Sequence, residues 1–280
     1  MNIHVSADST CDLTDALVRE YGIGITPLYI LMGTETHTDG IDCTAQDIFD
    51  YYEKTKKLCS TAAVSIADYQ EYFSRQLESA DQLVHFTISS DMSVCYQNAV
   101  TAAEEFAGRV FVVDSRNLST GIGQLALDAV LLAREGKDGA EIKAVLDERK
   151  ARLNVSFVID TLEYLHKGGR CSGVAALGAN LLKLRPCIEV IDGAMVVGKK
   201  YRGTMDKCLE AYVRERIGDG DTVDKRRIFV TDSGASDAAV ETVTAFLREK
   251  GFQEILHTRA GSTISSHCGP GTLGVLYYNL

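Results

Sequence analysis

The stretch Gln82-Leu83-Val84-His85-Phe86-Thr87-Ile88-Ser89-Ser90-Asp91-Met92-Ser93 reads as an apolar strand over 82–88 that empties into a hydroxyl-rich turn. A helix then runs from about Ser93 to Ala107. Strand, polar turn and helix in that order make one unit of an open parallel sheet covered by helices. The unit recurs on both sides. Ile3-His4-Val5-Ser6 is a strand, followed by a helix that Asp12 N-caps and Gly22 stops. Ile25 to Met32 reads as one further strand. Thr44 starts a helix carrying Ile48, Phe49 and Tyr52, and another spans about Ile66 to Leu77. Val110 to Val113 is a strand, with helices through Leu125 to Leu132 and from about Gly139 to Arg152.

Beyond about 150–155 the pattern changes. Val155 to Ile159 is a strand, with a short helix around Leu162 to Leu165. Two apolar runs, 187–191 and 194–197, flank Asp192-Gly193, the strongest hairpin signal in the chain. A helix over about 205–216, a strand over 228–231, a helix over 237–250 and a last strand over 274–278 follow. The expected class is α/β in two domains. Residues 1–152 form a parallel-sheet, Rossmann-like domain and residues 153–280 a mixed α+β domain.

The 280 residues carry 45% apolar and 24% charged residues, which excludes disordered, collagen-like and coiled-coil chains. A net charge of −10 argues against nucleic acid as a partner. Asp8, Asp12, Asp15, Arg19 and Glu20 interrupt any signal core, and no apolar run reaches a membrane span of roughly 20 residues, so a cytoplasmic location is expected. The eight cysteines show no zinc spacing and read mostly as small core residues; no metal is expected. A phosphate-binding P-loop, a complete dinucleotide fingerprint and a Gly-x-Ser-x-Gly elbow are absent from the sequence.

Hydroxyl clusters follow four strands instead: Asp8-Ser9-Thr10, Ser89 to Ser93, Asp114-Ser115 with Ser119-Thr120, and Thr231-Asp232-Ser233. Each alone suits an ordinary N-cap. Four at equivalent places also suit one anion site at the carboxyl edge of a sheet. Lys167-Gly168-Gly169-Arg170 reads either as a ligand-gripping basic loop or as a helix-ending turn. Lys199-Lys200-Tyr201-Arg202 reads as a solvated strand end. His267 lies in what reads as a glycine-rich turn, beside Cys268, for which no base is identifiable.

These residues, taken in order, resemble the DegV family. The resemblance is carried by Asp8-Ser9-Thr10-Cys11-Asp12-Leu13, Asp39-Gly40, Ile88 to Ser93 with Tyr96-Gln97, Asp114-Ser115, and Leu162 to Arg170. Arg185-Pro186, Gly198-Lys199, Arg202-Gly203 and His267 with Gly269-Pro270-Gly271 complete it. It implies two α/β domains with the ligand, a lipid, between them, in a fatty-acid-binding carrier that is itself no enzyme and has no cofactor. A separate ATP-binding fatty acid kinase would be its partner and would phosphorylate the bound carboxylate. By motif position Thr61, Ser93 and His267 are implied as ligand-binding residues, and Arg170 and Arg202 as the partner or phosphoryl-transfer region. The chain departs from the family pattern at Ala62-Ala63-Val64 and at Val94-Cys95. An alternative is a serine acyl hydrolase using Ser93 and His267, and another is a module sensing lipid occupancy.

Overall fold

A computed structural model describes residues 1–171, 173 and 184–280. Thirteen strands among the described residues form three sheets. The first is parallel, in the order β2 (Ile23–Thr26), β1 (Ile3–Asp8), β6 (Gln82–Thr87), β7 (Val110–Asp114). The second has six strands, ordered β10 (Ala194–Arg202), β9 (Leu184–Ile191), β8 (Leu153–Val158), β13 (Thr272–Asn279), β11 (Val223–Ser233), β12 (Glu254–Arg259). Its pairings are antiparallel except β11 with β12, so the sheet is mixed. The fold is therefore α/β with a parallel sheet and a separate mixed one. The helix Thr120–Arg134 touches β1 on one side and β13 on the other. Ile122, Leu125 and Leu127 are fully buried there, in a core that also takes Val5 from one sheet and Leu276 from the other. Burying each such side chain contributes about 1.5–3 kcal/mol, so this helix ties the two sheets together.

Local chemistry explains most boundaries. Thr44 and Asp47 form a reciprocal capping box, as do Ser65 and Asp68. Asp192 (φ 48°) and Gly193 (φ 84°) both adopt the left-handed conformation, which a tight hairpin between β9 and β10 requires.

Four expectations are corrected. The run from Ile25 to Met32 is two strands in different sheets. Pro27 lacks the N–H that would continue β2, and Tyr29–Met32 (β3) joins Glu35–Thr38 (β4) and Ser60–Ala62 (β5) in a small antiparallel sheet. Asp12 is not an N-cap: Thr14 caps the helix Asp15–Tyr21, and Asp12 takes a left-handed conformation with its carboxylate turned elsewhere. The helix after Ser93 runs over Cys95–Ala103 and ends in a 3-10 turn. The segment before His267 is a helix, Ser262–Cys268, and not a turn. Among the described residues no helix is long and apolar enough to cross a membrane.

Candidate functional site

A cavity of about 400 Å³ lies between the parallel and mixed sheets. That is within the range of small-molecule sites. Ile88, Met92 and Leu118 line it from the first half of the chain, and Val155, Phe157, Met195 and Leu276 from the second. Thr61, Ser93, Arg170 and His267 are also in the lining. Arg202 is not: it lies exposed at the end of β10. Of the four hydroxyl clusters, Asp8-Ser9-Thr10 stays outside the lining. The fourth belongs to β11 of the mixed sheet and reaches the cavity through Thr231, Asp232 and Ser233. The clusters thus do not share one sheet edge.

Asp8 has a structural role instead. Its carboxylate accepts from the Tyr69 hydroxyl at 2.7 Å and from the Ile88 N–H at 3.0 Å. It thereby ties the first strand to the turn that follows β6.

Thr61 sits in β5, paired with Ile30. Its hydroxyl lies 2.9 Å from Nε2 of His267. Burial, with the charge of Arg170 adding to it, pushes the His267 imidazole down to about 4, so it is neutral at ordinary pH. Nδ1 of His267 has no hydrogen-bond partner among the described residues. Gly168 faces it so closely that a Cβ there would lie 2.4 Å from Nδ1. Gly168 ends the helix Glu163–Gly168, and Gly169 caps it with φ 69°. Lys167 to Arg170 is therefore a helix-ending turn, and it also brings Arg170 to the cavity. The Arg170 guanidinium donates to the Gly168 carbonyl at 2.6 Å.

Ser93 stands just ahead of Val94, the N-cap residue of its helix: its hydroxyl accepts from the Cys95 N–H at 3.2 Å and also lies 3.2 Å from the Cys95 sulfur. Val94, next to it, lines the cavity while 62% exposed. Burial pushes the thiols of Cys95 and Cys268 up to about 12, which leaves both as unreactive thiols. Cys11, Cys43, Cys59, Cys95, Cys187, Cys208 and Cys268 form no disulfide.

A hydrolase needs a serine bonded to a histidine that a carboxylate orients. Among the described residues no hydrogen bond joins Ser93 to His267, and His267 is paired with Thr61 rather than with a carboxylate. The arrangement does not support that chemistry. It suits a passive site: two hydroxyls and a neutral imidazole near one guanidinium, opening onto an apolar cavity. No group of three or more His, Cys, Asp or Glu side chains suited to a metal ion occurs among the described residues.

Two buried carboxylates escaped the sequence reading as part of this site. Asp12 and Asp39 both reach the start of the helix Ser262–Cys268. Burial pushes the Asp12 carboxyl up to about 8, with Asp39 nearby adding to the rise. Their only sequence signal was membership of short motifs, and no local pattern links them to residue 262.

Comparison with known proteins agrees with this architecture. The DegV family model matches residues 2–280. A DegV domain-containing protein of Deinococcus radiodurans is 31% identical over 277 residues, covering 98% of each chain. A Thermotoga maritima protein named fatty acid-binding protein is 27% identical over 280 residues, with 98% of this chain and 96% of that one covered. Among solved structures, a DegV family protein from Thermus thermophilus, described by its fatty acid binding, has a TM-score of 0.91 at 32% identity over 100% of both chains.

Proposed function

The chain belongs to the DegV family, and from that premise we propose that it is a fatty-acid carrier. It buries a long-chain fatty acid in the cavity between the sheets and holds the carboxylate at the Thr61, Ser93 and His267 end. The observation that carries this reading is the Thr61–His267 pair, a polar end on a cavity otherwise lined largely by apolar side chains. The relatives named for fatty acid binding support it. The energetics are adequate. A sixteen-carbon chain gains about 0.8 kcal/mol per buried CH₂, roughly 12 kcal/mol before ordering costs. Tight binding then needs few polar contacts, and those present serve to orient the head group.

The carrier works without chemistry of its own. A separate ATP-dependent kinase phosphorylates the presented carboxylate, in the cytoplasm where ATP is available. Arg170, exposed beside the cavity, is suited to the charge that an acyl phosphate gains, and Arg202 belongs to the partner-facing surface. The two domains divide at residues 152 and 153, where the first strand of the mixed sheet begins. Titration of delipidated protein with palmitic acid tests the binding step. Saturable binding at one site per chain is expected, and no binding up to the solubility limit contradicts it.

A further inference from the structure

The helix Ser262–Cys268 has seven residues and supplies His267 from its last turn. A helix this short does not hold itself. Its N-cap residue is Gly261, which has no side chain to cap with. The free N–H groups at its start are instead taken by two carboxylates from the first half of the chain. Oδ1 of Asp12 accepts from the Gly261 N–H at 2.8 Å. Oδ1 of Asp39 accepts from the Ser262 N–H at 2.9 Å and from the Ser262 hydroxyl at 2.5 Å. Both carboxylates are buried, Asp39 to 3% exposure and Asp12 to 6%.

Their second oxygens are held as well. The Ser119 hydroxyl donates to Oδ2 of Asp12 at 2.5 Å, and the Ser9 hydroxyl to Oδ2 of Asp39 at 2.7 Å. Ser9 in turn accepts from the Leu28 N–H at 3.1 Å. Each carboxylate is thus fixed at both ends, and neither can follow the helix if it shifts. A Cβ on Gly261 would lie 3.1 Å from Oδ1 of Asp39 and 3.3 Å from Oδ1 of Asp12, so the backbone is seated closely between them.

We propose that Asp39 and Asp12 are positioning residues for head-group binding, and that they place His267 by clamping the start of its helix. They touch no ligand; they fix the distance at which His267 meets Thr61 across the two halves of the chain. This rests on the carrier reading, and it explains why two buried carboxylates are spent on a seven-residue helix.

The test compares two probes of equal chain length, palmitic acid and hexadecanol, on the delipidated full chain. Wild type should prefer the acid. Asp39→Ala should lose at least tenfold in affinity for palmitic acid and stay within about twofold for hexadecanol. Asp39→Asn keeps an oxygen for the Ser262 N–H and should recover most of the loss. If Asp39→Ala does not fold, Ser262→Ala removes one of the same bonds and should cost about threefold for the acid alone. Equal losses for both probes, or none for either, overturn the positioning role while leaving the carrier reading standing. A wild type that binds neither probe overturns both.

Discussion

The hydroxyl of Thr61 and Nε2 of His267 lie 2.9 Å apart although 206 residues separate them in sequence. One comes from a short strand of the small antiparallel sheet and the other from a helix before the last strand. The polar end of the cavity is thus assembled from both halves of the chain, and neither half contains it alone.

Thr61→Val keeps the shape of the side chain and removes the hydroxyl. A hydrogen bond to a charged group contributes roughly 1.5–3 kcal/mol, so fatty-acid affinity should fall about ten- to hundredfold. Ser93→Ala should act in the same direction, and the double variant should lose less than the sum if both hydroxyls hold one carboxylate. The Ser93 hydroxyl also accepts from the Cys95 N–H at the start of a helix, so its variant should be less stable by about 1 kcal/mol, the net worth of one hydrogen bond. Calorimetric titration and urea unfolding on the same preparations separate the two effects.

Gly168→Ala should disturb the site without touching the ligand. The added Cβ meets Nδ1 of His267 at 2.4 Å, inside any real contact distance. Either the ring or the helix Glu163–Gly168 must move, and the pairing with Thr61 should break. A loss of acid affinity similar to that of Thr61→Val is expected, with near-normal unfolding midpoints.

The contribution of His267 to stability should fall on the acid side. Its folded value lies near 4, below the ordinary 6.5. Below about 6.5 the imidazole takes up a proton in the unfolded chain that the folded protein refuses, so this contribution is lost as pH falls from about 6.5 to about 4, while Asp12, held up at about 8, works in the opposite direction. At about 1.4 kcal/mol per pH unit, the loss is at most about 3.5 kcal/mol. His267→Gln should flatten the profile of the delipidated protein in that window. Urea midpoints at pH 7, 5.5 and 4.5 check this, and parallel profiles contradict it.

The legible part of the fold was whatever local chemistry dictates. Asp192-Gly193 announced its hairpin because both residues tolerate positive φ. The parallel strands showed because they are buried on both faces and read as apolar runs. Thr61 and Ser93 came through the resemblance, and both line the cavity. The helix Ser262–Cys268 was invisible for a physical reason. Ser-Thr-Ile-Ser-Ser has weak helix propensity, and the caps arrive from Asp12 and Asp39, more than two hundred residues away. The strand Glu35–Thr38 is polar and partly exposed, so its pairing with β3 left no apolar pattern to read.

If the proposed kinase partner exists, Arg170→Ala should separate binding from phosphoryl transfer. The Arg170 guanidinium is exposed and, among the described residues, hydrogen-bonds only the Gly168 carbonyl, which leaves its charge available to a partner or a phosphate. Arg170→Ala should keep lipid affinity within about threefold, under 1 kcal/mol. It should lose at least about tenfold in kinase-dependent acyl-phosphate formation, or about 1.4 kcal/mol. A collapse of lipid affinity with normal phosphorylation per bound lipid would make Arg170 a ligand clamp instead.

The central claim, that the cavity holds a fatty acid, is tested most directly by organic extraction of the purified protein and mass spectrometry of the extract. One fatty acid per chain is expected, of about fourteen to eighteen carbons, a length whose burial yields on the order of 10 kcal/mol. An extract holding only a polar metabolite, or nothing across repeated preparations, would contradict it.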